Sequence, residues 1–143
     1  MGIRSYKSRI AIVALAAVLA SACGSAYQGR YRAAVAKNQR DLQRLELGMP
    51  VGEVRSLMGE GEVIRYRRIY FVDPWRSESF ALVDGTEVLI LYYVTQPTRK
   101  YYSAEDHELT PIVLENDHVV GWGWPYLRRS LDRYQVSAPK EQQ

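Results

Sequence analysis

The chain has 143 residues with 19 basic and 16 acidic groups, and its positive excess lies entirely in Arg4, Lys7 and Arg9. Residues 1–22 hold no acid, so the remaining 121 residues carry 16 charges of each sign, without the clustered basic footprint that nucleic-acid binding needs. A single cysteine excludes an internal disulfide, and one domain of this size must therefore stand on its apolar core.

Residues 1–9 form a positive leader, and Ile10 to Ala20 (IAIVALAAVLA) an apolar run of the length found in signal peptides. The run falls short of the roughly 20 apolar residues of a membrane span. Two cleavage patterns are compatible with the end of this run. Ala20-Ser21-Ala22 fits an ordinary small-x-small site. Leu19-Ala20-Ser21-Ala22-Cys23 resembles a bacterial lipobox, in which a diacylglyceryl group is joined to the cysteine sulfur and the new N-terminus is acylated. The one cysteine of the chain stands at the one position that lipidation requires, which favours the second pattern. The expected organisation is a lipoprotein signal peptide over 1–22 and a lipidated tether over 23–32. A single α+β domain over 33–136 and a disordered tail over 137–143 complete it. No cofactor is expected beyond the lipid on Cys23.

The tether Gly24 to Arg32 reaches about 30 Å when extended. Between Arg30 and Arg44 stand five basic residues and one acid, Asp41. Such a segment beside a lipid anchor suits either a solvated helix face or an anionic headgroup layer. Ala33 to Leu45 reads as a helix with a thin apolar stripe of Val35, Leu42 and Leu45. Leu47-Gly48-Met49-Pro50 ends it and starts another, with proline at the first helical position and Glu53 in the first turn. Val51, Val54, Leu57 and Met58 share one face of this second helix, and Gly59 stops it.

Strands take over after Gly59. Val63 to Val72 is rich in β-formers and reads as one strand. Asp73-Pro74-Trp75-Arg76 is a turn or loop. Asp84-Gly85 joins Ser79–Val83 to Thr86–Thr95 as a two-residue hairpin, in which both turn positions favour positive φ. The second arm is apolar on both faces, the mark of a central strand. Residues 96–109 form a long polar loop, of the kind that often carries function. Thr110–Glu115 and His118–Trp124 flank Asn116-Asp117 as a second hairpin. Its return arm places His118, Val120, Trp122 and Trp124 on one face and Val119, Gly121 and Gly123 on the other. A surface of glycines leaves room for close approach. Tyr126 to Tyr134 reads as a short basic helix. The order predicts an α+β fold, with two N-terminal helices packed on one face of an antiparallel meander sheet.

The pattern Leu47-Gly48-Met49-Pro50, then Val54, Leu57, Met58 and Gly59, lies after a lipobox and before a meander. In that setting it resembles the SmpA/OmlA, or BamE-like, outer-membrane lipoproteins over roughly residues 42–124. The resemblance implies a lipid-anchored, non-enzymatic scaffold on the periplasmic face of the outer membrane. Its implied partners are the membrane and other envelope or β-barrel assembly proteins. Gly24, following Cys23, is not the aspartate that commonly retains lipoproteins at the inner membrane.

For binding, Arg99-Lys100-Tyr101-Tyr102 in the long loop combines residue types enriched at interface hot spots. Trp75, beside Pro74, is a second candidate, and Trp122 and Trp124 are a third. An alternative function is recognition of a small ligand, a lipid or a peptidoglycan fragment by this Tyr/Trp surface. A metal-dependent hydrolase is the weakest reading. Asp106-His107-Glu108 and Asp117-His118 bring acids beside histidine without the spacing of a zinc site. No Gly-x-Ser-x-Gly elbow is present.

Overall fold

The computed structural model describes residues 29–66, 69–96 and 104–137. The leader, the lipobox with Cys23 and the first part of the tether lie outside them, as does the tail beyond residue 137. The α+β class and the antiparallel meander stand as expected, with helices preceding the sheet. Helix α1 is described over 29–42, α2 spans Val51–Met58 and α3 spans Trp124–Ser137. Strands β1 (Glu62–Tyr66) and β2 (Ile69–Asp73) form a separate hairpin. Strands β3 (Arg76–Ala81), β4 (Glu87–Val94), β5 (Leu109–Glu115) and β6 (His118–Trp122) form a four-stranded sheet in chain order. No helix among the described residues is long and apolar enough to cross a membrane.

The alternation in β4 organises the core, because apolar residues on both faces of a strand need cover on both. Val88, Ile90, Tyr92 and Val94 pack with Val113 of β5, with Tyr31 and Val35 of α1 and with Leu127 and Tyr134 of α3. Leu91 and Tyr93 face the other way, into a cluster with Ile112, Leu114 and Val119. Val54 and Met58 of α2 and Leu45 complete that second cluster, so α1 and α2 cover opposite faces of β4 rather than the one face expected, because both of its faces are apolar. Fully burying one such aliphatic side chain contributes about 1.5–3 kcal/mol. Helix α1 runs from one cluster to the other, since Leu42 near its end packs against the second.

Several boundaries differ from expectation. Residues 29–32, assigned to the tether, already belong to α1, because buried Tyr31 extends the inward stripe by one turn. Val63 to Val72 is a hairpin, with Tyr66 opposite Ile69; the intervening Arg67-Arg68 carries no turn signature. At the β3–β4 connection Leu82 N–H donates to Thr86 O at 2.8 Å. This leaves a three-residue loop, closed by Gly85 at φ +85°. The two-residue turn with both φ values positive is Asn116-Asp117, at 47° and 65°. Pro50 is the residue before α2 rather than its first. The segment around it runs along the outer edge of β6. Gly48 N–H donates to Val119 O, Val119 N–H to Met49 O and Val51 N–H to Asp117 O. The Leu47–Pro50 motif thus covers one edge of the sheet as well as starting a helix.

Helix α3 is longer than Tyr126–Tyr134 and begins at Trp124. At its far end Tyr134 O–H donates to Glu115 Oε1 at 2.9 Å, and Arg133 grips both oxygens of the same carboxylate at 2.9 Å. Burial, then the bond to Glu115 and its charge, push the Tyr134 phenol above the usual tyrosine range. The neutral phenol is therefore the folded form, and its stabilisation holds below the unfolded pKa and is lost as pH rises through the folded one. Tyr134→Phe is expected to cost about 1–2 kcal/mol in urea unfolding, with faster amide exchange in α3. An unchanged midpoint would show that the phenol bond is replaced by solvent.

Candidate functional site

The register Arg76↔Tyr92 sets a cation over an aromatic at the start of β3. The guanidinium carbon lies 4.1 Å from the Tyr92 ring centre, a cation–π contact of about 0.5–2 kcal/mol. Arg76 Nη2 also meets Asp106 Oδ1 at 3.0 Å, and its Nε lies 3.7 Å from Glu78 Oε1. Asp106 opens the short 3₁₀ turn Asp106–Glu108, closed by a capping box between Glu105 and Glu108. Burial first, then the Glu78 charge, raise the Tyr92 phenol pKa, so the ring remains neutral under its cation.

Trp124 closes the other side. Its ring centre is 6.0 Å from that of Tyr92, at 42°. Its indole N–H is shared between Leu109 O at 2.8 Å and Asp106 O at 2.9 Å. Trp75 is half-buried against the same cluster, and its backbone N–H donates to Tyr92 O at 2.8 Å. Trp75 and Trp124 therefore both pack against the cluster that holds Tyr92, Trp124 through its ring and Trp75 with its main chain bonded to that tyrosine. Trp122 is separated from them, packed on the α2 side. A register shift opposite Val113 and Leu114 breaks the period of two between Val119 and Gly121, and after Trp122 the chain turns at Gly123, φ +82°, into α3, which begins at Trp124. The expected single Trp face is thereby lost. Arg99, Lys100, Tyr101 and Tyr102 lie outside the described residues.

Beside Trp124 is an open groove of about 840 Å³, lined by Ala104, Asp106, His107, Trp124, Arg128 and Leu131, among others. Leu131 of α3 is partly exposed there. The lining combines an aromatic ring, apolar side chains and charged groups. Among the described residues no three His, Cys, Asp or Glu side chains converge as metal ligands. His107 Nδ1 is 3.6 Å from Glu105, whereas His118 Nδ1 contacts Asn116 O at 2.8 Å.

A second polar node is buried between α1 and the sheet. Asn38 Nδ2 donates to Asp73 Oδ1 at 3.0 Å and to Val94 O at 3.1 Å, while Asn38 Oδ1 is buried with no partner. Lys37, counted in the sequence with the basic segment, donates to Leu57 O and Met58 O at 3.1 Å and pairs with Asp41 at 3.0 Å. It thus serves the C-terminus of α2. The exposed Arg30, Arg32 and Arg40 remain on the outer side of α1, and exposed Arg44, in the turn after it, meets Asp41 at 3.4 Å. Tyr93 O–H donates to Gly59 O at 3.0 Å. Burial, followed by the Asp73 charge, holds that phenol well above its ordinary pKa.

The sequence singled out Trp75 and Trp124 for binding and Asp106 only within a weak metal reading, but not Tyr92 or Arg76. These come together only through the β3–β4 register and the 3₁₀ turn. Asn38 had a readable signal, since Tyr31, Val35, Asn38 and Leu42 recur at helical spacing on the inward face.

A family model described as "Protein of unknown function (DUF3192)" matches residues 16–128. No curated protein and no solved structure matches the chain.

Proposed function

The chain belongs to the DUF3192 family of proteins of unknown function, and from that premise we propose that it is a lipid-anchored, non-enzymatic binding module of the bacterial cell envelope. The observation that carries the reading is the position of Cys23. The family match begins at residue 16, inside the apolar leader, so the Leu19–Cys23 stretch belongs to the matched segment. Diacylglyceryl and N-acyl chains on Cys23 supply the two or more lipid signals that stable anchoring needs. Gly24 directs the product to the periplasmic face of the outer membrane in a host with two membranes. The work of the module falls to protein partners such as envelope or barrel-assembly subunits, through the Trp75–Tyr92–Trp124 corner and its surroundings. The resemblance of residues 42–124 to SmpA/OmlA lipoproteins supports that class of partner.

Cell fractionation tests the anchor. Wild-type protein is expected in the membrane fraction, and Cys23→Ala, if exported, in the periplasmic soluble fraction. Persistent membrane association of Cys23→Ala would overturn the lipobox. Mild crosslinking followed by native extraction tests the partner, and recovery of the monomer alone would count against a protein-binding role.

A second reading has the open groove beside Trp124 in its favour. A lipid or peptidoglycan fragment seated there would change tryptophan emission. A flat titration against both, in wild type and in Trp75→Phe, would remove it.

A further inference from the structure

The two edges of the four-stranded sheet are treated differently. The β6 edge is covered by residues 48–51, whereas among the described residues β3 pairs with β4 alone. Leu82 and Thr86 close the hairpin with a Leu82 N–H to Thr86 O bond. In an antiparallel ladder the hydrogen-bonded pairs recur every second residue. Leu82, Phe80 and Glu78 therefore direct their main-chain groups at β4, and Ser77, Ser79 and Ala81 direct theirs outward. Those three residues are exposed, and their side chains are small. The usual defences of an edge are charged side chains (lysine above all), proline, a bulge or a covering segment. Strand β3 contains neither lysine nor proline, its charges Arg76 and Glu78 lie on the α3 face with Arg76 held by Asp106, and all six of its residues are in unbroken register with β4.

We propose that the β3 edge is a strand-acceptor site, and that its occupant is an extended segment of a partner protein that adds antiparallel to Ser77–Ala81. The side-chain chemistry beside the edge specifies the segment. On the face shared with α3, Phe80 is half-buried, edge-on to Tyr134 with ring centres 5.6 Å apart. Glu78 is exposed, with the Arg76 Nε at 3.7 Å, and that arginine is already held closer by Asp106. An incoming strand gains most from an apolar residue opposite Phe80 and, two positions later, a lysine or arginine opposite Glu78. On the other face Ser79, Ala81 and Leu89 line a shallow groove of about 340 Å³, which leaves room for side chains that lean inward.

A second copy of this chain fits less well. Centring two β3 strands on Ser79 sets Glu78 against Phe80, and pairing Ser77 with Ser79 sets Glu78 against Glu78. The register centred on Ser77 does bring Arg76 opposite Glu78. It needs the Trp75 N–H, which is already donated to Tyr92 O.

This inference rests on the binding-module reading and gives it a site. The probe is a synthetic peptide carrying Thr-Val-Thr-Lys-Thr, with valine aimed at Phe80 and lysine at Glu78. On the full mature protein it is expected to slow amide exchange at Ser77, Ser79 and Ala81 by about tenfold or more at saturation. Ser79→Pro deletes an outward N–H and no β4 bond, so it should abolish peptide binding at unchanged circular dichroism. Glu78→Lys should weaken the peptide and bind the version with glutamate in place of lysine, a rescue that a folding defect would not give. Unaltered exchange in wild type, or equal binding by Ser79→Pro, would overturn the proposal. So would peptide-free self-association that protects the same amides, which would assign the edge to a second copy. An envelope pulldown separates the two levels. Equal capture of a partner by wild type and Ser79→Pro overturns the edge site alone, whereas capture by neither overturns the binding-module reading beneath it.

Discussion

Gly121→Val is expected to detach α3 from the sheet and to leave the protein unfolded or nearly so at physiological temperature. A β-carbon at Gly121 would lie 2.5 Å from Tyr126 Cγ, closer than real carbon contacts come. The obstructing atoms, Cδ2 and Cε2 ahead of Cγ, run along one edge of the ring down to its root rather than lying at a movable tip. Relief therefore requires Tyr126 to leave its rotamer or α3 to lift. Lifting α3 would expose Leu127 and Tyr134, which are both buried against β4 and β5. Overpacking of this kind costs about 1–3 kcal/mol for a single methyl, and more for a branched side chain. Gly121→Ala should thus cost about 3 kcal/mol of stability in urea unfolding, with Gly121→Val beyond it. Tyr126→Ala should recover a large part of the Gly121→Ala loss, because the double variant no longer holds both colliding groups. If Gly121→Ala unfolded within about 0.5 kcal/mol of wild type, the ring would have another place to go.

The glycine pattern was legible in the sequence, and its meaning was only partly so. Gly121 does mark a close approach, but the approaching group is a ring of α3, which the sequence showed as shorter and placed two residues later. The double-sided apolar pattern of β4 was readable because a period of two exposes both faces of a strand at once. Arg67-Arg68 hid a hairpin because its residues carry no turn preference. The exit from β6 at Trp122 through Gly123, at φ +82°, into a helix that already begins at Trp124 has no strong sequence marker, and it undoes the alignment of Trp122 with Trp124. The candidate site divides along the same line. Its aromatic members announce themselves by type. The Arg76–Tyr92–Asp106 constellation depends on contacts across strands, and composition does not encode those.

Asn38→Asp should be the second most damaging change, and its damage should depend on pH. Asn38 is fully buried and donates to Asp73 Oδ1 at 3.0 Å and to Val94 O. Aspartate at that position removes both donors and sets a second carboxyl within contact of the first. Asp73 itself is 4% exposed, so solvent gives little relief. An uncompensated buried charge costs about 3–5 kcal/mol. Two carboxylates so close titrate as a pair, and one of their apparent pKa values is driven upward in the folded state. For a carboxyl raised in this way the folded state holds its proton more tightly than the unfolded chain does. The variant is therefore least impaired below the unfolded carboxyl pKa of about 3.9. Its deficit grows as pH climbs from there to the raised folded value and is complete above it. Asn38→Ala loses the same two donors without adding a charge, so its penalty should be smaller, about 2–3 kcal/mol, and flatter with pH. Urea unfolding of the two variants between about pH 4 and pH 8 separates these outcomes. A gap between them that stayed constant over that range would mean that the added carboxylate escapes to solvent. The node joining α1 to β2 and β4 would then be looser than its distances imply.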